Sequence, residues 1–408
     1  MYRNNDILGV DKKFNFSPKY SDGFYLYDDK KQKVLDFATI FGSLPLGHSS
    51  QIIEKALISQ LHCGFLSYSN TLYNDVAEKL SNKLCELAGF YEYKNQTIDV
   101  NGKSLFFNSA TDANECAIKL ARKRYNLLCD REYNEIICFK NSNHGNSITT
   151  LSASSNNTKT ISFKPLQNCF KFADINNISS VESLINEHTC AVMLETIQTD
   201  QEVVCCNDDF LKKLRQLCTK HEIALILDET HCCSGRSGTF FAYEKSGIKP
   251  DIVTISGGFV GGLPFSACIA NNQITEFLQF SDFGTSDGNI LLCNIGLKVI
   301  NEINNIDFLD NVKKNGQLLK QYLEQICKRY SDIAYTVNGM GLMLGLKIRN
   351  EVNATKLSEI LLSNGLLVEQ INNTLLFFPP LNIGEQQIKE AIKILITSIE
   401  EISVIERY

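Results

Sequence analysis

Between residues 73 and 289 the chain alternates short apolar runs with longer amphipathic stretches. The apolar runs are residues 104–109 (SLFFNS), 135–140 (EIICFK), 190–196 (CAVMLET), 223–229 (IALILDE), 251–256 (DIVTIS) and 265–270 (FSACIA). Their length and apolar character predict β-strands. Residues 112–125 (DANECAIKLARKRY) and 208–222 (DDFLKKLRQLCTKHE) carry apolar positions at helical spacing and predict α-helices. Such alternation predicts an α/β domain with a mainly parallel sheet covered on both faces. Ligands of such sheets bind at the carboxyl ends of the strands.

The flanks differ. Residues 24–37 (FYLYDDKKQKVLDF) place apolar runs on either side of an Asp- and Lys-rich turn, which predicts a hairpin. Residues 50–61 space Ile52, Ile53, Ala56, Leu57 and Leu61 as one face of a helix. After Asn289, residues 295–304 and 311–330 predict long helices, three apolar runs between residues 341 and 381 follow, and residues 384–402 predict a closing helix. The expected organisation is an N-terminal segment and small lobe over residues 1–72, a large α/β domain over 73–289, and a smaller C-terminal α+β domain over 290–408. No low-complexity linker or internal repeat interrupts it.

Composition narrows the function. A chain of 408 residues has room for a large core and two unequal domains. The net charge of −6, with Lys and Arg dispersed among acids, lacks the basic footprint of a nucleic-acid binder. The first residues lack the apolar core of a secretory signal, and no run of about 18 apolar residues occurs later. A soluble, cytoplasmic protein without a membrane partner is expected. The 15 cysteines are odd in number and scattered, which favours reduced thiols over a disulfide framework. His231, Cys232 and Cys233 adjoin, but no second ligand group with C-x-x-C or H-x3-H spacing follows, so no metal site is expected.

Two stretches carry candidate chemistry. In FFNSATDANECAIKLARKRY a strand, a small-residue turn at Ser109, Ala110 and Thr111, and a strong helix follow one another. Orphan amides and the helix dipole make such a helix start a seat for a phosphate, although Ser or Thr there is also an ordinary N-cap. In LILDETHCCSGRSG, Asp228 ends an apolar strand, where its carboxylate reaches the crevice.

These segments together resemble the class III, fold-type I pyridoxal-phosphate aminotransferases. FFNSATDANE is similar to F-x-N-S-G-T-E-A-N-E, with Ala110 for Gly and Asp112 for Glu. DETHCCSGRSG and PDIVTISGGFVGGLP resemble the family's cofactor signature. NISSVE and GRSGTFFAYE, with SNTLYND, give the likeness the character of the acetylornithine/ornithine aminotransferase branch, and it runs from about Phe24 to about Ile399. It implies a fold-type I architecture, a pyridoxal or pyridoxamine 5′-phosphate cofactor, and a small-molecule amine or amino acid as substrate.

Several residue roles come only from the resemblance. Asp228 would pair with the pyridinium nitrogen, so that the ring acts as an electron sink. His231 stands where the family has Gln beside the ring hydroxyl, a candidate hydrogen-bond donor or base. Asn143, before His144 and Gly145, holds the position of a ring-stacking aromatic, and its loss removes roughly 1 kcal/mol of stacking. FGTSDGNI resembles T-F-x-G-N-P, in which Thr285 would reach a phosphate across a homodimer interface. Glu195 matches the Glu of E-P-x-Q-G-E-G-G on the substrate side. Leu376 falls where an Arg would clamp a substrate carboxylate.

Gly257 falls on the Schiff-base lysine. Glycine offers neither an amine for covalent attachment nor a group to carry protons. Three readings are compatible with that departure: noncovalent cofactor binding with unusual or weak amino-group chemistry; a catalytically inactive pseudoenzyme serving as a regulatory or partner subunit, in a heterodimer with an active paralogue; or a sequence altered at residue 257 to trap a complex.

Overall fold

Seven strands form the central sheet, in the spatial order Gly102–Phe107, Ser266–Asn271, Ile252–Ser256, Ala224–Asp228, Thr189–Glu195, Glu135–Phe139 and Phe170–Ala173. The computed structural model describes residues 16–64, 67, 72–94, 97–128, 134–155, 160–200, 202–276 and 288–405. All six apolar runs of the large domain are strands, and Phe170–Ala173 adds an edge that the pattern did not announce. Only Ser266–Asn271 runs against its neighbours. The strands Thr189–Glu195 and Ala224–Asp228 are buried at every position, because helices or loops cover both faces.

Side chains alternate between two cores. Leu225, Leu227, Val192 and Leu194 face one, shared with the helices Asp75–Leu87, Asp208–Lys220 and Ile290–Ile303. Ala224, Ile226, Ala191 and Met193 face the other, against Ala117, Ile118 and Ala121 of the helix Ala110–Leu128. Parallel register then sets Glu195, Asp228 and Thr254 side by side at the carboxyl ends of three adjacent strands. They follow Met193, Ile226 and Ile252 by two residues and so share the face of the helix Ala110–Leu128.

A separate four-stranded antiparallel sheet, Ala334–Met340, Met343–Ile348, Thr374–Phe377 and Glu369–Ile371, packs under the helices Ile306–Arg329 and Glu385–Ile405. The N-terminal hairpin Tyr25–Tyr27 and Lys33–Asp36 forms as expected, and Lys33–Asp36 pairs in parallel with Leu366–Leu367. The beginning of the chain thus joins a sheet closed by its last third. No described helix is long and apolar enough to cross a membrane.

Arg236 ties these parts together. Its side chain is 1% exposed and its guanidinium donates to three carbonyls, those of Leu342 and Pro379 from the C-terminal region and that of Gly42 from the N-terminal segment, each at 2.9 Å. Burial pulls its pKa down to about 9, so it remains charged at neutral pH. Replacing Arg236 with Met strands three buried carbonyls, each costing about 1–3 kcal/mol. Urea denaturation of Arg236→Met is expected to show a loss of about 3 kcal/mol or more; a loss under about 1 kcal/mol would mean that these bonds are not what joins the segments.

Candidate active site

Asp228 is the centre of a closed hydrogen-bond network. Its Oδ2 accepts from Asn114 Nδ2 and His144 Nδ1, both at 2.7 Å, and its Oδ1 accepts from the hydroxyl of Thr230 at 2.6 Å and the amide of Thr230 at 3.1 Å. Burial alone would raise the carboxyl pKa, but the bonds from His144 and Thr230 outweigh it and hold Asp228 below its ordinary value. An ionised carboxylate only accepts, so His144 Nδ1 carries the proton of that bond.

Asn114 is fully used. Its Nδ2 also donates to the carbonyl of His144 at 2.9 Å, and its Oδ1 accepts from Thr254 Oγ1 at 2.7 Å. It sits one turn into the helix Ala110–Leu128 and is 1% exposed. One helix, the loop at residues 142–146 and two strands therefore converge on a single carboxylate. Among the described residues His144 Nε2 is buried without a hydrogen-bond partner, an orphan that a ligand in the crevice could satisfy.

The start of that helix has the expected form. Ser109 Oγ accepts from the amide of Asp112 at 3.2 Å and donates to the Asp112 carboxylate at 2.7 Å. Ala110 is the first helical residue and is absent from the left-handed conformations, so the missing glycine costs nothing there. The first amides of a helix lack intrahelical partners; with that of Asp112 capped, those of Ala110 and Thr111 face outward. Thr111 Oγ1 accepts from the amide of Asn146 at 3.3 Å. A Cβ on Gly145 would lie 2.6 Å from the same Thr111 oxygen, so the loop's close approach requires glycine.

Asn143 uses both ends of its amide within the chain. Nδ2 donates to Asp200 Oδ1 at 3.1 Å, Oδ1 accepts from the amide of Gly145 at 3.3 Å, and the Asn143 amide donates to Glu195 Oε2 at 2.9 Å. Glu195 and Asp200 are 1% and 7% exposed. Leu376 is buried with Ile197, Val203, Cys232, Met343 and Phe378 in an apolar cluster. His231 is half-buried in the turn after Glu229 and does not join the Asp228 network. Gly257 follows the strand Ile252–Ser256 directly, at the same end of the sheet. Thr285 and the first three residues of the SNTLYND segment, Ser69, Asn70 and Thr71, lie outside the described residues. Asn289 caps the helix Ile290–Ile303, accepting from the amide of Leu292 at 3.2 Å.

Asn114, Thr230 and Thr254 were not singled out from the sequence. Asn114 lies inside the quoted DANE run, and its helical spacing from Thr111 was a usable signal. Thr254 becomes visible only through the register with Asp228.

A family model described as aminotransferase class-III matches residues 9–399. The chain is 33% identical over 382 residues to the acetylornithine aminotransferase of Methanocaldococcus jannaschii, covering 93% of this chain and 91% of that one. It is 32% identical over 396 residues to the acetylornithine aminotransferase of Clostridium acetobutylicum, covering 97% and 99%. Among solved structures it is similar to the N-acetylornithine aminotransferase of Stenotrophomonas maltophilia K279a, with a TM-score of 0.79 at 26% identity over 94% and 95% of the two chains. The ornithine aminotransferase of Toxoplasma gondii ME49 shares the fold, with a TM-score of 0.89 at 22% identity over 97% and 93%.

Glu229, next to Asp228, is fully buried; burial raises its pKa from 4.5 to about 7, against the bonds it accepts from the Ala242 amide and the Cys232 thiol. Between those two values the folded protein binds more protons at Glu229 than the unfolded chain does. Stability from this group is therefore fully present below about pH 4.5 and falls as pH rises towards 7, by roughly 3 kcal/mol at most. Urea denaturation from pH 5 to pH 8 is expected to show this decline, and Glu229→Gln, which keeps an acceptor without a charge, is expected to flatten it. An unchanged slope in Glu229→Gln would refute the assignment.

Proposed function

The chain belongs to the class-III aminotransferase family, and on that premise we propose that it is an acetylornithine-aminotransferase-like protein that holds pyridoxal or pyridoxamine 5′-phosphate noncovalently. Its amino-group chemistry is weak or unusual, because Gly257 stands in place of the Schiff-base lysine. The observation that carries this reading is the ionised, buried Asp228 held by Asn114, His144 and Thr230. A charge of this kind is costly to bury, and a pyridinium nitrogen is the group it suits.

When bound, the cofactor supplies an electron sink for chemistry at an amine-bearing carbon. The chain's part is to hold and orient. Asp228 would keep the ring nitrogen protonated, with His144 and Asn114 fixing the carboxylate. The outward amides of Ala110 and Thr111, with Ser109 capping the turn, would hold the phosphate. Asp112 in the same first turn opposes an anion, which with Asn143 in place of an aromatic points to modest affinity. His231 is the candidate for moving a proton at the ring hydroxyl, and Glu195 lines the substrate side. Thr285 would complete the phosphate site across a homodimer of this cytoplasmic protein.

One observation favours a second reading, an inactive partner subunit of an active paralogue. Leu376, where a substrate-clamping Arg would stand, is sealed in an apolar cluster, so an α-carboxylate has no clamp there.

Titration with pyridoxal phosphate, followed by absorbance and calorimetry, is expected to show saturable binding with no protein adduct after borohydride. Asp228→Asn is expected to weaken it at least tenfold, as loss of a charge-assisted bond requires. Absence of binding at millimolar cofactor would sink the enzymatic reading and leave the partner-subunit one.

A further inference from the structure

The backbone at Gly257 is left-handed, with φ +48°, and is pinned on both sides: its amide donates to the Phe265 carbonyl at 3.0 Å and its carbonyl accepts from the Gly262 amide at 2.9 Å. A Cβ there would lie 3.0 Å from Ser43 Oγ and 3.2 Å from Ser43 Cβ. The hydroxyl could rotate aside, but the Cβ moves only with the backbone.

That backbone is itself held. Thr39, Ile40 and Phe41, just before Ser43, all have positive φ, of 43°, 52° and 51°. Left-handed conformations of β-branched residues are strained and persist only where the surroundings impose them. Asp36 Oδ1 accepts from the amides of Ala38 and Thr39 at 2.8 and 2.9 Å, Thr39 Oγ1 donates to the Phe378 carbonyl at 2.6 Å, and Arg236 holds the Gly42 carbonyl. The next residue, Leu44, packs as closely on Gly262, where a Cβ would sit 2.5 Å from Leu44 Cδ2. The turn and the 257–262 loop are therefore fitted to each other.

We infer that Ser43 occupies the space a side chain at residue 257 would need, so that the position is closed to a lysine rather than merely lacking one. The strained turn acts as a positioning element that confines the pocket to reversible, noncovalent capture of an aldehyde- or amine-bearing ring. This deepens the noncovalent reading above and rests on it only for the nature of the ligand.

A double-mutant cycle on the cofactor-free protein tests the closure directly, using Gly257→Ala, Ser43→Gly and the pair. Gly257→Ala is expected to lower the melting temperature by a few degrees, and Ser43→Gly is expected to recover a clear part of that loss in the pair. Additive effects, or a Gly257→Ala protein as stable as the parent, would overturn the inference. Gly257→Lys with pyridoxal phosphate and borohydride gives a second readout: no stable adduct is expected in the single variant, and an adduct at parental stability would also overturn it. Failure of the parent to bind cofactor would defeat the proposed function while leaving the thermal cycle readable.

Discussion

A carboxylate taken out of water at the end of a central strand has to be matched by donors, and the arrangement around Asp228 follows from that demand. The donors come from separate elements: Asn114 from a helix, His144 from a loop, Thr230 from the turn after the strand. Because Asn114 also holds the His144 carbonyl and takes the Thr254 hydroxyl, the network fixes the loop against the helix and the helix against the neighbouring strand. The same loop reaches Glu195 and Asp200 through Asn143. One buried charge thereby sets the geometry of the whole crevice.

A second constraint acts from the other end of the chain. The turn at residues 39–43 is strained; bonds involving Asp36, Thr39 and Arg236 hold it in place, and Ser43 and Leu44 bring it against Gly257 and Gly262. The strain is offset by contacts with both the sheet that the N-terminal hairpin enters and the C-terminal region. Such over-determined conformations concentrate at functional sites, and this one borders Gly257.

The departures share a direction. On the proposed reading Gly257 offers no reactive amine; Asn143 turns its amide into the chain, and Leu376 is absorbed into an apolar cluster. On that reading, what remains is the part that would hold a ring nitrogen and a phosphate. Membership of the class-III aminotransferase family, with acetylornithine aminotransferases among its relatives, accounts for the shared frame, and the proposed reading takes Gly257, Asn143 and Leu376 as the limits on its chemistry.

The sequence by itself determined the large sheet, because its strands are short apolar runs and its long helices amphipathic, patterns that survive in one dimension. It also marked Asp228, Ser109, Thr111, Asn143 and Gly257, since each lies in a contiguous motif. The edge strand Phe170–Ala173, with few distinguishing residues, went unread, as did the pairing of Lys33–Asp36 with Leu366–Leu367 across more than three hundred positions. Only the tertiary structure decided which groups satisfy Asp228, that Arg236 binds three carbonyls rather than an acid, and that Ser43 lies close against Gly257. Those are matters of distance between residues far apart in the chain. Local pattern reports which face a side chain takes, whereas strand register and close packing decide what it meets there.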